Sequence, residues 1–250
     1  MSTIYILWLR QLKRYFRSRS RIIGALGQPI LFLIALGYGF GSIFQKAGGG
    51  NYVEFLAPGI IAMSILFTAM FAGIEVIWDR QFGFLKETLV APVSRVKIMI
   101  GRTFGGATVA VVQGIFVLIL SYILGFRTAN LTFWRIILVI VFMVLIGLFF
   151  TALGTAIASL LEDMQGFQLI MNFLVQPIFF LSGALFPLNN LPKVLTFITE
   201  INPLAYGVDG IRGALLAGIH FGFAIDFVVL GVITAVVLVI GSYLFSKIQI

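Results

Sequence analysis

The sequence predicts an all-α integral membrane protein with six transmembrane helices. Of its 250 residues, 60% are hydrophobic and only 10% are charged, whereas about a quarter of the residues in a soluble domain are charged. Six apolar stretches are each long enough to cross a hydrocarbon core of roughly 30 Å as a helix. Strands of a membrane barrel would be about ten residues long with alternating polarity. The predicted spans cover residues 22–44, 56–78, 103–126, 136–161, 165–188 and 224–246.

Residues 1–21 precede the first span and have the pattern of an amphipathic helix. Its apolar side holds Ile4, Trp8, Leu12, Tyr15 and Phe16, and its basic side holds Arg10, Lys13, Arg14 and Arg17. Aromatic rings at headgroup depth and cations facing anionic lipid are what an interfacial helix requires. We expect this helix to lie flat on the inner leaflet. It is either a basic anchor that sets the topology or a lever that also touches a cytoplasmic subunit.

The positive charges are distributed unevenly between the loops. If the N-terminus is cytoplasmic, twelve lysines and arginines fall in the inner segments and five in the outer ones. The positive-inside rule therefore places both termini in the cytoplasm. The net charge of +8 is then mostly a topological signal and not a sign of nucleic-acid binding. The chain has no cysteine, so disulfides and thiolate metal sites are excluded, and we predict no metal site.

Residues 79–101 form a long, charge-rich segment between two apolar spans. Contact with lipid explains the apolar spans but not this segment, which indicates another contact. We predict a short helix here from Asp79 to Val90. Its apolar face consists of Phe82, Leu85 and Leu89, and Arg80, Lys86 and Glu87 surround that face. Such a helix either inserts into a groove on a soluble subunit or rests on lipid headgroups.

The predicted short helix ends at Pro92, because the residue before a proline avoids the helical region. Ser94 is then placed to begin a second helix, which passes through Arg95 and runs into the third span. On the same side of the membrane, Glu162 and Asp163 offer a smaller contact of opposite charge.

Residues 189–222 form an outer cap between the last two spans. We predict two short helices in it, near Leu191 to Thr199 and from Pro203 to Leu216. Asn202 before Pro203 has the character of an N-cap followed by a first helical residue. We expect the second helix to dip into the outer leaflet with Asp209 and Arg212 satisfied locally, since they are three residues apart. It is either a re-entrant cap over a pathway or a plug that fills a packing gap.

The sequence offers little for an enzyme or an ion-coupled carrier. His220 is the only histidine, and a catalytic site needs a nucleophile with a base or a metal cluster. Ser182 and Gly183 could suggest an intramembrane serine protease, but Ser-Gly in a membrane helix usually serves close packing. The centres of the spans hold no ionisable residue, unlike those of most ion-coupled carriers. No GxxxxGK[ST] motif is present, so uphill transport would need energy from another polypeptide.

Several segments together resemble one family. The segment DRQFGFLKETLVAPVSRVKIMIGRTFGG resembles the region after the second span in membrane subunits of type-2 ATP-binding-cassette exporters. EDMQGFQLIMNFLVQPIFFLSGALFP, LP at residues 191–192 and INPLAYGVDGIR follow in the order that this family has. The chain is most similar to the drug-resistance and nodulation-factor branch, and polysaccharide exporters share the architecture.

This resemblance implies a homodimer of six-helix subunits that sits on two copies of a separate ATPase in the cytoplasmic membrane of a prokaryote. The ATPase would bind ATP and Mg, and this chain would carry no cofactor or catalytic residue. The segment from Asp79 to Pro92 corresponds to the coupling helix, and the turn from Glu162 to Gly166 corresponds to a lesser contact. The implied ATPase-coupling residues are Asp79, Arg80, Phe82, Gly83, Leu85, Glu87, Leu89, Pro92, Arg95, Glu162, Asp163 and Gly166.

By the same resemblance, spans two and five line the transport pathway. The implied pathway residues are Met63, Phe67, Met70, Phe71, Asn172, Gln176, Phe179, Phe180, Ser182 and Gly183. Aromatic and methionine side chains tolerate varied apolar ligands, but the same side chains also face lipid or pack between helices. Gly37 with Gly41, or Gly101 with Gly105, allows a close helix crossing, either between two copies or within one chain.

The resulting hypothesis is a permease subunit of an ATP-driven exporter, with a drug, lipid or glycolipid as cargo and membrane lipids as neighbours. A polysaccharide exporter of the same architecture is an alternative. A membrane scaffold that docks a soluble partner and an ion-coupled carrier are alternatives from other classes.

Overall fold

The computed structural model describes residues 2–48, 50–84, 93–128, 132–189, 191–216 and 218–248, and the regular structure in these ranges is helical. The helices are α1 (Thr3–Arg17), α2 (Arg19–Gly39), α3 (Gly41–Lys46), α4 (Tyr52–Gln81), α5 (Arg95–Ile123), α6 (Phe133–Leu160), α7 (Met164–Ile170, Met171–Val175 and Gln176–Phe180 in succession), α8 (Lys193–Ile201), α9 (Pro203–Leu216) and α10 (Phe223–Ser246). Five of them, α2, α4, α5, α6 and α10, are long and apolar enough to cross a membrane. The predicted class of all-α membrane protein is confirmed.

The predicted fifth span differs most from its helix. α7 starts one residue before the predicted start at 165, but it ends at Phe180, whereas the prediction continued to residue 188. Turns and bends follow at residues 181–186. Within α7, Met171–Val175 forms a π-helical turn, an irregularity that often occurs at functional positions.

Side chains from elsewhere take over the backbone carbonyls that the end of α7 leaves unpaired. Ser182 donates from its hydroxyl to the carbonyl of Phe179 at 2.7 Å, and Asn202 donates from its amide to the carbonyl of Ile178 at 2.6 Å. These bonds give α7 a stable end inside the protein, so its apolar sequence does not have to continue as helix.

α4 is the central helix of the molecule. Every residue from Leu56 to Leu66 is buried, and α2, α5, α6 and α9 pack around it. The crossing with α6 is very close, because a Cβ atom on Gly73 would overlap the backbone of Gly154. Small residues permit such backbone contact between membrane helices.

The helices have two distinct ends, which we call the basic end and the opposite end. At the basic end Arg10 of α1 and Arg102 of α5 both contact Asp79 near the end of α4. At the opposite end the hydroxyl of Tyr38 donates to the carbonyl of Leu124 at 2.7 Å. The loop after α4, the turn before α7 and the C-terminus of α10 all lie at the basic end.

The predicted N-terminal helix is present as α1, but it packs on protein along α5. A Cβ atom on Gly101 would lie 3.0 Å from Cβ of Leu7, and one on Gly105 would lie 2.7 Å from Cγ of Gln11. The Gly101 and Gly105 pair therefore serves a crossing within one chain. Phe16, which we assigned to the apolar face, is 53% exposed.

The other glycine pair behaves differently at its two positions. A Cβ atom on Gly37 would lie 2.9 Å from Cγ2 of Val53, so this glycine also serves contact within the chain. A Cβ atom on Gly41 would meet no packing neighbour within 4 Å in the part of the chain that the structure describes.

The two predicted helices of the outer cap are present as α8 and α9, and the side chain of Asn202 accepts a hydrogen bond from the N–H of Leu204 at 3.0 Å. Residues Leu204 to Leu215 are all buried within the protein. The predicted local satisfaction of Asp209 and Arg212 by each other is wrong, because each has another partner. Asp209 accepts from the N–H of His220 at 2.9 Å, and Arg212 donates to the carbonyl of Gly183 at 2.9 Å.

Candidate functional site

Two carboxylates on α4 define the centre of the basic end. Glu75 and Asp79 are one helical turn apart and therefore share a face of α4. Asp79 lies 3.3 Å from Nη2 of Arg10 and also contacts Arg102. Glu75 lies 2.9 Å from Nη1 of Arg21 in α2 and 3.6 Å from Nη1 of Arg14 in α1. Each carboxylate thus joins α4 to the N-terminal segment.

These ion pairs are buried on the acidic side, since the side chains of Asp79 and Glu75 are only 9% and 3% exposed. Removing one partner from such a pair leaves an uncompensated charge away from water, which is costly. Burial lowers the pKa of Arg10, and the nearby carboxylate of Asp79 opposes that change. The pairs therefore fix the position of α1 on α4.

Further along α1, Tyr15 anchors the helix to α5. Its side chain is buried, and its hydroxyl donates a hydrogen bond to Oε1 of Gln113. Burial raises the pKa of Tyr15 to about 12. The phenol is therefore protonated at neutral pH and can act as this donor.

The segment that follows α4 begins later than the sequence predicted. Asp79 and Arg80 belong to α4, so the prediction that a separate helix starts at Asp79 is wrong. The physical reason is the pairing of Asp79 with arginines, which keeps the last turn of α4 inside the protein. Phe82 is 82% exposed just after the helix, and Gly83 has a left-handed φ of 78°.

The guanidinium of Arg10 lies over the ring of Phe84, with Cζ of Arg10 3.9 Å from the ring centroid. Arg10 therefore contacts both the end of α4 and the start of the predicted coupling segment. The predicted residues Leu85, Glu87, Leu89 and Pro92 lie outside the described residues.

The turn between α6 and α7 meets the end of α4. Arg80 donates to the carbonyl of Leu161 at 3.2 Å, and Gln81 donates to the carbonyl of Glu162 at 3.3 Å. The structure thus brings together the two regions that the sequence assigned to ATPase contact. Asp163 has a local role besides, because its carboxylate accepts from the N–H of Gly166 at 2.6 Å and caps α7.

α5 begins as predicted, with Ser94 as the N-cap and Arg95 as the first helical residue. The guanidinium of Arg95 donates to the carbonyls of Ser246 and Ile248, the latter at 3.0 Å. Cations near the last carbonyls of a helix are favourable, so Arg95 ties the C-terminal end of α10 to the start of α5.

Comparison with known proteins identifies the family of this chain. The model of the ABC-2 type transporter family matches residues 2–216. The chain belongs to the ABC-2 type transporter family. It is 30% identical over 215 residues to Nodulation protein J of Rhizobium leguminosarum bv. viciae, with 85% of this chain and 79% of that protein covered. It is also 30% identical to the transport permease ycf38 of Cyanophora paradoxa, with 84% and 72% covered.

As an ABC-2 chain, this protein is a multi-pass membrane protein and the permease subunit of a transporter. The family implies an ABC ATPase as a partner in general. Those predicted coupling residues that the structure describes lie at the basic end of this permease, around the end of α4, in the turn before α7 and at the start of α5.

The predicted pathway residues of this ABC-2 chain divide into two groups. Met70 and Phe179 are fully buried, and Phe179 packs against the ring of Phe67 with centroids 6.4 Å apart. Ser182 is also buried, with its hydroxyl bonded to the backbone, and Gly183 has a left-handed φ of 72° that a turn requires. These residues hold α4, α7 and the turn after α7 together.

The second group lies at the surface or lines a cavity. Phe71 is 39% exposed, Phe180 is 44% exposed, and Asn172 is exposed within the π-helical turn of α7. Gln176 is half-buried, and Met63, though nearly inaccessible, lines a cavity beside α4. An exposed amide is costly against lipid tails, so the face that carries Asn172 needs a polar neighbour.

Sequence reasoning missed Glu75, Arg14 and Arg21 as part of this site. The available signal was the spacing, since Glu75 and Asp79 are four residues apart and so are Arg10 and Arg14. Two helices with matching periods of opposite charge can pair along one face.

Proposed function

We propose that this chain is the permease subunit of an ATP-driven exporter that moves an amphipathic or lipid-like molecule across a cytoplasmic membrane. Two copies form the pathway, and a separate ABC ATPase binds ATP and Mg and docks at the basic end. Both termini then lie in the cytoplasm, because the basic end carries the excess of arginine and lysine. The joining of the end of α4 to the turn before α7 is the observation that carries this proposal.

The contacts at the basic end support a route for mechanical coupling. A push on the segment after Phe82 acts directly on α4. It also reaches α6 and α7 through the bonds from Arg80 and Gln81 to the turn at 161–162. It reaches α1 through Arg10, which touches Asp79 and Phe84. Closure of an ATPase dimer would therefore move several helices together.

The face of α7 that carries Asn172 supports a pathway between two copies. Asn172 and the 80% exposed ring of Phe173 lie on the irregular turn of this helix. A second permease offers the polar neighbour that lipid lacks, and mixed aromatic and amide side chains suit an amphipathic cargo.

The docking is tested with Phe82→Asp, since this ring is 82% exposed next to the segment that would contact the ATPase. A charge placed in an apolar contact lowers the binding free energy by about 2 kcal/mol or more when the residue is a hot spot. We expect the copurified ABC ATPase to fall by roughly tenfold or more, with the permease still in the membrane.

The matched control is Phe133→Asp at the start of α6, where the ring is 70% exposed. This variant should copurify with the ATPase as the unchanged chain does. Equal copurification by both variants would refute docking at Phe82. Transport that persists without an ATPase and stops with an ionophore would favour an ion-coupled carrier instead.

A further inference from the structure

A cavity of about 840 Å³ opens between the junction of α1 and α2 on one side and α4 on the other. It extends along α4 from Trp78 at the basic end to Ser64 near the middle of the helix. These two residues are fourteen positions apart, which is about 21 Å along a helix. The cavity is therefore long and narrow, and it begins where the arginines of the N-terminal segment lie.

The two ends of this cavity differ in chemistry. Arg14, Ser18 and Arg21 line its basic end, and Met63, Phe67 and Phe71 line the remainder along α4. A guanidinium carries five N–H donors and binds phosphate or carboxylate in a fixed geometry. Aromatic rings and the thioether of Met63 offer apolar contact to a flexible hydrocarbon. The lining thus matches a molecule with an acidic head and an apolar tail.

The arginines retain positive charge for such a ligand. Arg21 lies 2.9 Å from Glu75 and Arg14 lies 3.6 Å from it, so two cations share one carboxylate. Their side chains are 31% and 38% exposed. One unit of charge is left over at the mouth of the cavity, with donors accessible to a ligand.

Ser64 marks the far end of the cavity along α4. It is 4% exposed, and its hydroxyl has no hydrogen-bond partner within the described part of the chain. Thr103 and Thr151 are also buried in helices without a partner for their hydroxyls among the described residues. Ser64 differs from them in lining the cavity, so its hydroxyl adjoins space that a ligand can occupy.

We propose that this cavity binds an amphiphile with an acidic headgroup taken from the adjoining leaflet. The headgroup binds Arg14 and Arg21, and the tail follows α4 toward Ser64. That the bound amphiphile is the cargo rests on the proposed exporter function, whereas the binding itself does not. A second copy fits this cavity less well, because a twofold contact brings the same basic surface of each copy together.

The test uses Trp78, which lines the cavity, as the only fluorophore of its kind. The full chain with Trp8→Phe and Trp134→Phe is placed in nanodiscs that contain brominated phosphatidic acid or brominated phosphatidylcholine at equal fractions. Bromine quenches a tryptophan that it touches. We expect phosphatidic acid to bind beside Trp78 on the order of tenfold better than phosphatidylcholine, as a charge-assisted contact permits.

Arg21→Gln should bring the ratio of phosphatidic acid binding to phosphatidylcholine binding close to one. The matched control is Arg19→Gln, which removes the same charge from an exposed position that does not line the cavity. It should leave most of the preference intact. Ser64→Ala should leave the quenching by both lipids unchanged, because a hydrocarbon tail offers its hydroxyl no hydrogen bond.

Equal quenching by the two lipids, or equal effects of Arg19→Gln and Arg21→Gln, would overturn the site. Quenching that depends on the ratio of protein to disc and not on the headgroup would assign the cavity to a second copy. Stimulation of ATP hydrolysis by phosphatidic acid in the complex tests the cargo separately. A headgroup preference without stimulation supports the site and contradicts its role in export.

Discussion

Asp79 is bound by arginines of two different helices, Arg10 from α1 and Arg102 from α5. The side chain of Arg102 is only 4% exposed, so its charge depends on this carboxylate for compensation. Coulomb attraction at such depth offsets the cost of removing both groups from water only when both partners are present. A residue that reads as a surface charge in the sequence is therefore a structural centre.

Asp79→Asn is expected to destabilise the protein by about 3–5 kcal/mol, because it leaves the guanidinium of Arg102 buried without its counter-charge. The thermal unfolding midpoint in lipid nanodiscs measures the effect. Glu162→Gln removes the same charge from an exposed position and should leave the midpoint within about a degree. Similar midpoints for both variants would contradict the buried ion pair.

At the scale of the element, α4 and α6 are held together by contact between their backbones at Gly73 and Gly154. Their packing therefore tolerates no added volume at this crossing. α10 is different, since a Cβ atom on Gly231 would meet no packing neighbour within 4 Å among the described residues. Glycine is therefore required for helix packing at position 73 but not at position 231.

Gly73→Ala should cost about 1–3 kcal/mol, because a new methyl group forces the two helices apart. Gly231→Ala should be neutral or slightly stabilising, since alanine is the better helix former where space is open. Unfolding midpoints of the two variants, measured side by side, check this. A neutral Gly73→Ala would mean that the crossing is looser than the structure has it.

Sequence patterns predicted most of these elements for local reasons. Ser94 and Asn202 begin helices as expected, because a cap depends on residues that are neighbours in the chain. The end of α7 at Phe180 was not predictable in this way. It depends on Asn202, twenty-four positions from its bonding partner Ile178, and hydropathy does not contain that contact.

The candidate site shows the same division. The family resemblance selected the segment from Asp79 to Pro92 and the turn from Glu162 to Gly166, and the structure places Gln81 of the first in contact with Glu162 of the second. The sequence could not assign the partners of Asp79 and Glu75, since these lie on three other helices, α1, α2 and α5. Only a tertiary structure gives such pairs.

At the scale of the whole molecule, the accessible surface is uneven in polarity. α2 and α10 expose chiefly apolar side chains, which suits contact with lipid. α7 exposes Asn172 beside Phe173, which suits contact with protein or cargo. The homodimer that we propose would therefore use the side of the molecule that carries α7.

Because the chain has no cysteine, a single introduced thiol reports this contact without background. We expect Phe173→Cys to be joined to a second copy by a short bifunctional thiol reagent in membranes, giving a dimer band on a denaturing gel. Val239→Cys on α10 is the control, since Val239 is 71% exposed on another helix, and it should remain monomeric. The reverse pattern would move the dimer contact to α10.

The early end of α7 also bears on the surrounding bilayer. Its segments of 7, 5 and 5 residues span about 25 Å at 1.5 Å per residue, which is less than a hydrocarbon core of roughly 30 Å. α4 has 30 residues and has no such deficit. If α7 crosses the membrane as predicted, lipid that meets it outside the dimer contact thins to match it, at a fraction of a kcal/mol per Å. Membrane thickness would then act on the α7 side of this permease more than on α4.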